Sequence, residues 1–521
     1  MSTIEIYDTT LRDGAQGEGI SFSVEDKVKI ALRLDKLGVH YIEGGWPGSN
    51  PKDSDFFKRI KDFPLEKAVV SAFGSTRKPN SDVKEDVNLK AIVDAGVQVA
   101  CIFGKTWDFQ VVYALNTTLE ENLQMIKESV AYLKSNGMQV FYDAEHFFDG
   151  CKANTEYALE TVKAAQAGGA DRIVLCDTNG GTMPWDIQEI VSKVKSVVTV
   201  PLGIHCHNDS EMAAANSVIA VQSGVIQVQG TMNGYGERCG NANLCSVIPN
   251  LEIKCGLKCL PEGNLAQLTE VSRFVSEVAN MHLHNGQPFV GTSAFAHKGG
   301  IHVSAIMKNS KTYEHITPEL VGNQRRVLVS DQSGLSNLLY KFKELNVDLT
   351  QQTEENKQLL MHIKELENQG YQFEGADGSF ELLMRRISGQ YENPFKLESL
   401  RVIMDMKENG PTSTEATIKI WVGDQVKHTA AEGNGPVNAL DNALRKSLEG
   451  FYPAIKEMQL NDYKVRVLNE KEGTDAVVRV SIETGDGKNS WGTIGVSTNI
   501  MEASWQALVD SLAYGLLKQN D

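Results

Sequence analysis

No apolar run in the sequence approaches the roughly 20 residues that a membrane span requires. Proline is sparse, 14 in 521 residues, while 41% of the chain is hydrophobic and 23% charged. Those values exclude wholesale disorder and low-complexity or fibrous architectures. A basic patch is missing too: the densest cationic run is Arg385-Arg386. With 51 Lys+Arg against 67 Asp+Glu the formal charge is −16, and a field of that sign repels polyphosphate. Nucleic acid and anionic membrane are therefore excluded as partners. The eight cysteines contain no C-x-x-C pair, and a chain of this length does not need a disulfide scaffold. Reduced, buried thiols in a cytoplasm are expected. Residues 1–8 pass straight into a strand pattern without a basic or apolar leader, which also reads as cytoplasmic.

Short apolar runs rich in Val, Ile, Cys and aromatics recur at 4–7, 41–46, 69–73, 97–103, 139–142, 172–176, 202–206 and 225–228. Between them lie stretches of helical periodicity, at 24–37, 119–133, 155–167 and 185–197. Continuous apolar strands alternating with helices mean a parallel sheet buried on both faces. Eight such units within about 235 residues match the count and length of a (β/α)8 TIM barrel. A doubly wound sheet would want a glycine-rich first turn, and Asp8-Thr-Thr-Leu-Arg-Asp-Gly14 is a poor match to one.

Beyond the eighth run the rhythm changes. Residues 264–283 read as a helix, and 292–370 hold further helical patterns, including Leu335, Leu338, Leu339, Phe342 and Leu345. Gly389 to Pro394 is a linker signal. The runs 400–406, 416–422 and 425–430 precede a helix at 436–448, and the pattern repeats as 463–468, 476–482, 489–496 and a helix at 501–517. Two βββα units imply an α+β module with a pseudo-twofold axis, suited to effector binding or dimerisation. The expected division is a barrel at 1–258, a helical linker and subdomains at 259–394, and the repeated module at 395–521.

In a TIM barrel the site forms at the C-terminal strand ends. Those positions carry Arg12 and Asp13, Glu43, Asp143 and Glu145, Asp177-Thr178-Asn179, His205-Cys-His207-Asn-Asp209, Asn233, and the loop from Gly234 to Asn241. The pair His205-x-His207 is the sharpest element. On a strand, i and i+2 share a face, so two imidazoles can hold one cation while Cys206 turns away. A carboxylate from another strand would complete a set suited to Mn²⁺, Mg²⁺ or Zn²⁺. His282-x-His284 is a contrast: at a helix end, i and i+2 diverge by about 200°, so that pair reads as capping and surface. Arg12 beside Asp13 is either a salt bridge tying down the first loop or a cation facing a developing negative oxygen.

Asp8-Thr-Thr-Leu-Arg-Asp-Gly14, Asp177-Thr178, Gly203-Ile-His-Cys-His-Asn-Asp209 and Gly234-Tyr-Gly-Glu-Arg-Cys-Gly-Asn241 together resemble the metal-dependent Claisen-condensing acyltransferases. That family contains the 2-isopropylmalate, homocitrate and citramalate synthases. His297-Lys-Gly-Gly-Ile-His302 and residues 313–322 resemble its subdomain, and 398–521 its regulatory domain. The stretch 42–52 and Arg12-Asp-Gly-Ala-Gln16 look most like the citramalate branch, with Ala15 where isopropylmalate synthases usually carry Glu.

The resemblance implies condensation of acetyl-CoA with pyruvate, followed by thioester hydrolysis, on a route toward isoleucine. It implies Asp13, His205 and His207 as metal ligands, with Asn241 a weaker fourth, and Thr178 as donor to the keto-acid carboxylate. It gives Arg12 the negative oxygen, Glu43 the support of Arg12, and Glu145 and His302 the proton chemistry, with Tyr313 supporting His302. It further implies a homodimer in which His302 reaches the other protomer's barrel, and isoleucine as effector of the C-terminal module. The phosphates of CoA require a local basic approach on this acidic chain.

Plainer roles stay open. Glu145 could pair with a rim lysine, Thr178 could cap a helix, and His302 could pack on its own barrel. At the level of activity the alternatives are a larger 2-keto acid, as in 2-isopropylmalate or homocitrate synthase, a metal-dependent lyase on a similar barrel, and a non-catalytic amino-acid sensor.

Overall fold

The computed structural model describes residues 3–328, 337, 340, 354–406, 408, 412–468 and 475–520. The chain divides into two compact units, Met1–Phe295 with His315–Arg325, and Ala296–Glu314 with Arg326–Asp521.

In the first unit β1 (Glu5–Asp8), β2 (Tyr41–Gly45), β3 (Val69–Ser75), β4 (Val99–Lys105), β5 (Gln139–Glu145), β6 (Arg172–Asp177), β7 (Leu202–Cys206) and β8 (Gln227–Gly230) form a closed barrel in sequence order. All pairs are parallel, and β8 returns to β1 with Glu5 opposite Gln227 and Asp8 opposite Gly230. Alternation along the strands sorts their side chains to two faces. Ile6, Ile42, Ile102 and Ile204 join the main core against the helices, whereas Tyr7, Phe73, Cys101 and Phe141 form a separate cluster.

The first crossover shows how sequence sets the boundaries. Ser23 and Asp26 form a capping box at the start of the helix Val24–Leu37, and Gly38 ends it in the left-handed region at φ 95°. Its buried residues include Val28, Leu34 and Leu37.

Some expectations change. The stretch 264–283 is a 3₁₀ turn, Asn264–Gln267, followed by a helix that stops at Val278. Asn280 takes φ 52°, a conformation that a helix cannot continue through. His282 and His284 therefore lie exposed beyond the helix rather than at its cap. Leu335, Leu338, Leu339, Phe342 and Leu345 fall outside the described residues. All eight cysteines are free, but Cys239 is exposed and Cys255 half-buried, so burial is not uniform among the thiols.

In the second unit β9 (Ala296–His297) pairs with β10 (Arg326–Val327), and the helices Gly300–Lys308, Glu354–Asn368 and Asp377–Ile387 precede the repeated module. There β11 (Lys396–Asp405), β12 (Ser413–Val422) and β13 (Gln425–Gly433) form an antiparallel sheet, followed by the helix Pro436–Leu448. The arrangement recurs as β14 (Gln459–Val467), β15 (Val478–Gly485), β16 (Ser490–Ser497) and the helix Ile500–Asn520. Ala416, Ile418 and Ile420 of the first sheet, Val480 and Ile482 of the second, and Leu440, Leu444, Leu508 and Leu512 of the helices share one core. Among the described residues no helix is long and apolar enough to cross a membrane.

Candidate active site

The loop after β1 carries Arg12 and Asp13 to the end of the barrel where β7 delivers His205 and His207. His205 Nε2 lies 3.4 Å from Asp13 Oδ2, and His207 Nε2 lies 3.9 Å from the same oxygen. The two Nε2 atoms are 3.4 Å apart. One ligand atom from each residue falls within 4.8 Å of the others, and all three residues are buried. Two nitrogens and one carboxylate oxygen converging on one point are a possible metal site.

Buried polar atoms without hydrogen-bond partners among the described residues fit the same reading. They include His207 Nδ1 and Asn241 Oδ1, and Asn241 bridges to His207 through the backbone. Burial and the neighbouring His205 hold the His207 imidazole down to about 4, hence neutral and able to ligate. Burial raises the Asp13 carboxyl, but Arg12 and the two imidazoles outweigh it and hold the group well below the ordinary carboxylate range. Burial opposes protonation of His205, yet the hydrogen bond and charge of Asp13 raise it.

Arg12 is fixed on several sides. Its Nε donates to Glu43 Oε2 at 2.6 Å, Nη1 lies 3.3 Å from Asp13 Oδ2, and the guanidinium sits 3.7 Å over the Phe73 ring. Burial works against its charge, but Glu43 and Asp13 outweigh that and secure it. Glu43 also accepts from Tyr7 Oη at 2.7 Å and from Thr9 Oγ1. The backbone leading from Glu43 is braced by a buried Lys27–Asp53 pair: Lys27 donates to Gly44 O at 3.0 Å and Asp53 accepts Trp46 N–H at 2.9 Å.

Thr178 caps no helix: the next one, Pro184–Lys195, has Met183 at its cap. Instead Thr178 Oγ1 accepts the His146 N–H at 2.8 Å. Glu145, at the end of β5, is paired with Lys105 Nζ at 2.5 Å. His302 and Tyr313 belong to the second unit, where their rings stack with centroids 4.0 Å apart and both are exposed. In the loop after β8, Arg238 grips Asp209 through two contacts at 2.9 Å and reaches Thr178 O at 2.7 Å.

Sequence reasoning left Gln229 unnoticed and gave Asp143 no role. Gln229 Oε1 lies 2.9 Å from His205 Nδ1, and its Nε2 donates to Asp143 Oδ1 at 3.1 Å. The available signal was an amide at an inward position of β8, where an apolar residue would be ordinary.

Residues 3–275 match the family model described as HMGL-like, 289–371 the homocitrate synthase post-HMGL domain-like model, and 374–516 the LeuA allosteric (dimerisation) domain. Fold and site together define an HMGL-like barrel enzyme with a C-terminal domain of the LeuA dimerisation type. An (R)-citramalate synthase of Geobacter sulfurreducens is 57% identical, covering 100% of this chain and 99% of its own. The (R)-citramalate synthase of Aquifex aeolicus is 55% identical over 99% of this chain and 98% of its own. A probable 2-isopropylmalate synthase of Methanopyrus kandleri stands at 33%, with 97% of both chains covered. The chain belongs to the (R)-citramalate synthase family.

Proposed function

We propose that this enzyme condenses acetyl-CoA with pyruvate and hydrolyses the resulting thioester, releasing (R)-citramalate and CoA. The observation that carries the reading is the buried convergence of Asp13, His205 and His207 beside Arg12, in a chain similar to (R)-citramalate synthases along its whole length. A divalent ion, Mn²⁺, Mg²⁺ or Zn²⁺, held by those three residues with Asn241 as a weaker fourth, would supply Lewis-acid polarisation of the keto group.

The remaining chemistry falls to side chains. The Thr178 hydroxyl already accepts from His146, so its own hydrogen is free to donate to the keto-acid carboxylate. Arg12, held by Glu43, faces the oxygen that becomes negative. Glu145 and His302 share removal of the acetyl methyl proton and support of the enolate, and Tyr313 orients His302 by stacking. Water then cleaves the thioester, leaving a carboxylate and the CoA thiol.

Pyruvate carries only a methyl group on its keto carbon, which calls for a narrow pocket. Trp46, Phe73 and Phe103 supply bulk beside Arg12: Trp46 meets the other two rings edge-on at 5.6 and 5.7 Å, and those two stack at 5.5 Å. The test is release of thiol from acetyl-CoA with pyruvate and with larger 2-keto acids. Preference for a larger acid overturns the substrate, and no release with any of them overturns the reaction.

The reading assigns catalysis to 1–258, completion of the site to 259–394 and regulation to 395–521. It expects a homodimer in which His302 serves the other protomer. Mixing inactive Arg12→Ala with inactive His302→Ala protomers should then restore partial activity, and no rescue counts against sharing. Isoleucine is the expected effector of the C-terminal module, which holds a cavity of about 610 Å³ lined by Val437, Asp441, Arg445, Leu460 and Tyr463 among others. Loss of isoleucine inhibition on deleting 395–521 is the check.

A further inference from the structure

We propose that Gln229, oriented by Asp143, is a positioning residue that fixes the tautomer of His205 and so leaves its Nε2 as the ligand atom. The three side chains come from β8, β5 and β7, and all are buried. Their order admits one polarity. Asp143 Oδ1 is an acceptor, so the amide nitrogen of Gln229 must face it, across 3.1 Å. The amide oxygen is thereby turned to His205 Nδ1, across 2.9 Å, and a carbonyl oxygen can only accept. Nδ1 must therefore carry the proton. In the neutral ring Nε2 then keeps its lone pair, and Nε2 lies 3.4 Å from both His207 Nε2 and Asp13 Oδ2, its acceptor when the ring is charged.

Each link is needed. Without Asp143, the Gln229 amide would be free to turn and offer N–H to Nδ1, placing the imidazole proton on Nε2. Without Gln229, Nδ1 would have no fixed acceptor, and the ring would lose both its preferred tautomer and its orientation. The outer partner of a ligating histidine commonly acts in this way, and its loss costs about 10- to 100-fold in metal affinity. The inference rests on the metal-site reading for its consequence, but not for its first observable.

That observable is the nitrogen spectrum of the full-length protein labelled at histidine, recorded metal-free and well above the imidazole titration range. His205, identified by the signal missing in His205→Asn, is expected as the Nδ1–H tautomer. In Gln229→Leu that preference should vanish, and in Gln229→Glu, which keeps an acceptor, it should persist. Asp143→Val, which removes the acceptor that orients the amide, should lose it. Titration with Mn²⁺ alone, followed calorimetrically, should show binding weakened about 10- to 100-fold in Gln229→Leu and within a few-fold of the parent in Gln229→Glu. An Nε2–H tautomer in the parent protein, or an unchanged tautomer in Gln229→Leu, overturns the proposal. If the tautomer shifts as expected but the parent binds no divalent ion, the positioning role stands and the metal site falls. Thermal unfolding of the two Gln229 variants separates misfolding from a tautomer effect, because a variant that unfolds with the parent has kept its fold.

Discussion

All five residues of β7 are buried, whereas none of the ten in β11 is fully buried. The barrel has helices outside, side chains inside and no free edge, so its strands can be apolar throughout and polar only where they end. The sheets of the C-terminal module are covered by helices on one side. In β12, Thr414, Ala416, Ile418, Ile420 and Val422 turn inward, and Trp421 faces out. Ile403, Met404 and Met406 are exposed as well. The barrel thus gathers its polar side chains at one end, while the module presents apolar surface of the kind that associates. Its match to the LeuA allosteric (dimerisation) domain agrees with that division of labour.

The contrast can be broken at the barrel first. Asp13→Ala removes the carboxylate shared by both imidazoles, and turnover should fall about 10³-fold or more with loss of Mn²⁺ binding, read by thiol release and calorimetry. Retention of both would mean that the cluster is only an ion pair. Next, Leu444→Ala opens the fully buried core of the module and should cost about 2–5 kcal/mol in denaturant unfolding, with metal binding unchanged. A loss of metal binding would show that the two regions are less separate than their cores imply.

A pH effect follows from β1. Burial pushes the Asp8 carboxyl up to about 7, against the Thr10 hydrogen bonds that lower it. In acid both folded and unfolded chains hold that proton. As the pH rises from about 4 to about 7 the unfolded chain releases it first, so stability falls across that window. Asp8→Asn should remove that pH dependence, on the order of 4 kcal/mol across the window, measured as the difference between the two proteins in urea unfolding. The smallest effect is expected on the open sheet. Trp421→Glu places charge on the outer face and should weaken self-association by about 1–2 kcal/mol in sedimentation equilibrium, with little change in fold.

The barrel was legible because its signal is local: each strand is a short apolar run, and His205 and His207 fall on one side by alternation alone. Arg12 and Asp13 could be named because they follow the end of β1, and Glu43 because it lies inside the apolar run of β2, where a carboxylate is out of place. The helix end at Val278 was not legible, since it depends on the left-handed turn at Asn280, and asparagine tolerates helix and turn alike. The Lys105 partner of Glu145 and the Gln229–Asp143 contact were hidden for another reason. They join residues on different strands, and Gln229 meets Asp143 across 86 positions of sequence, which no local periodicity records.

Closure of the barrel has a consequence for how the protein is made. β1 pairs with β8, so Glu5 waits for Gln227 before its edge is covered. At about 5–20 residues per second, the ribosome needs about 10 to 45 s to supply the intervening chain. Throughout that interval the first strand is an open template, and Asp13 is far from the histidines it will meet. Birth of the site is therefore a late event in synthesis. A nascent chain halted before β8 should bind chaperone readily and divalent ions poorly.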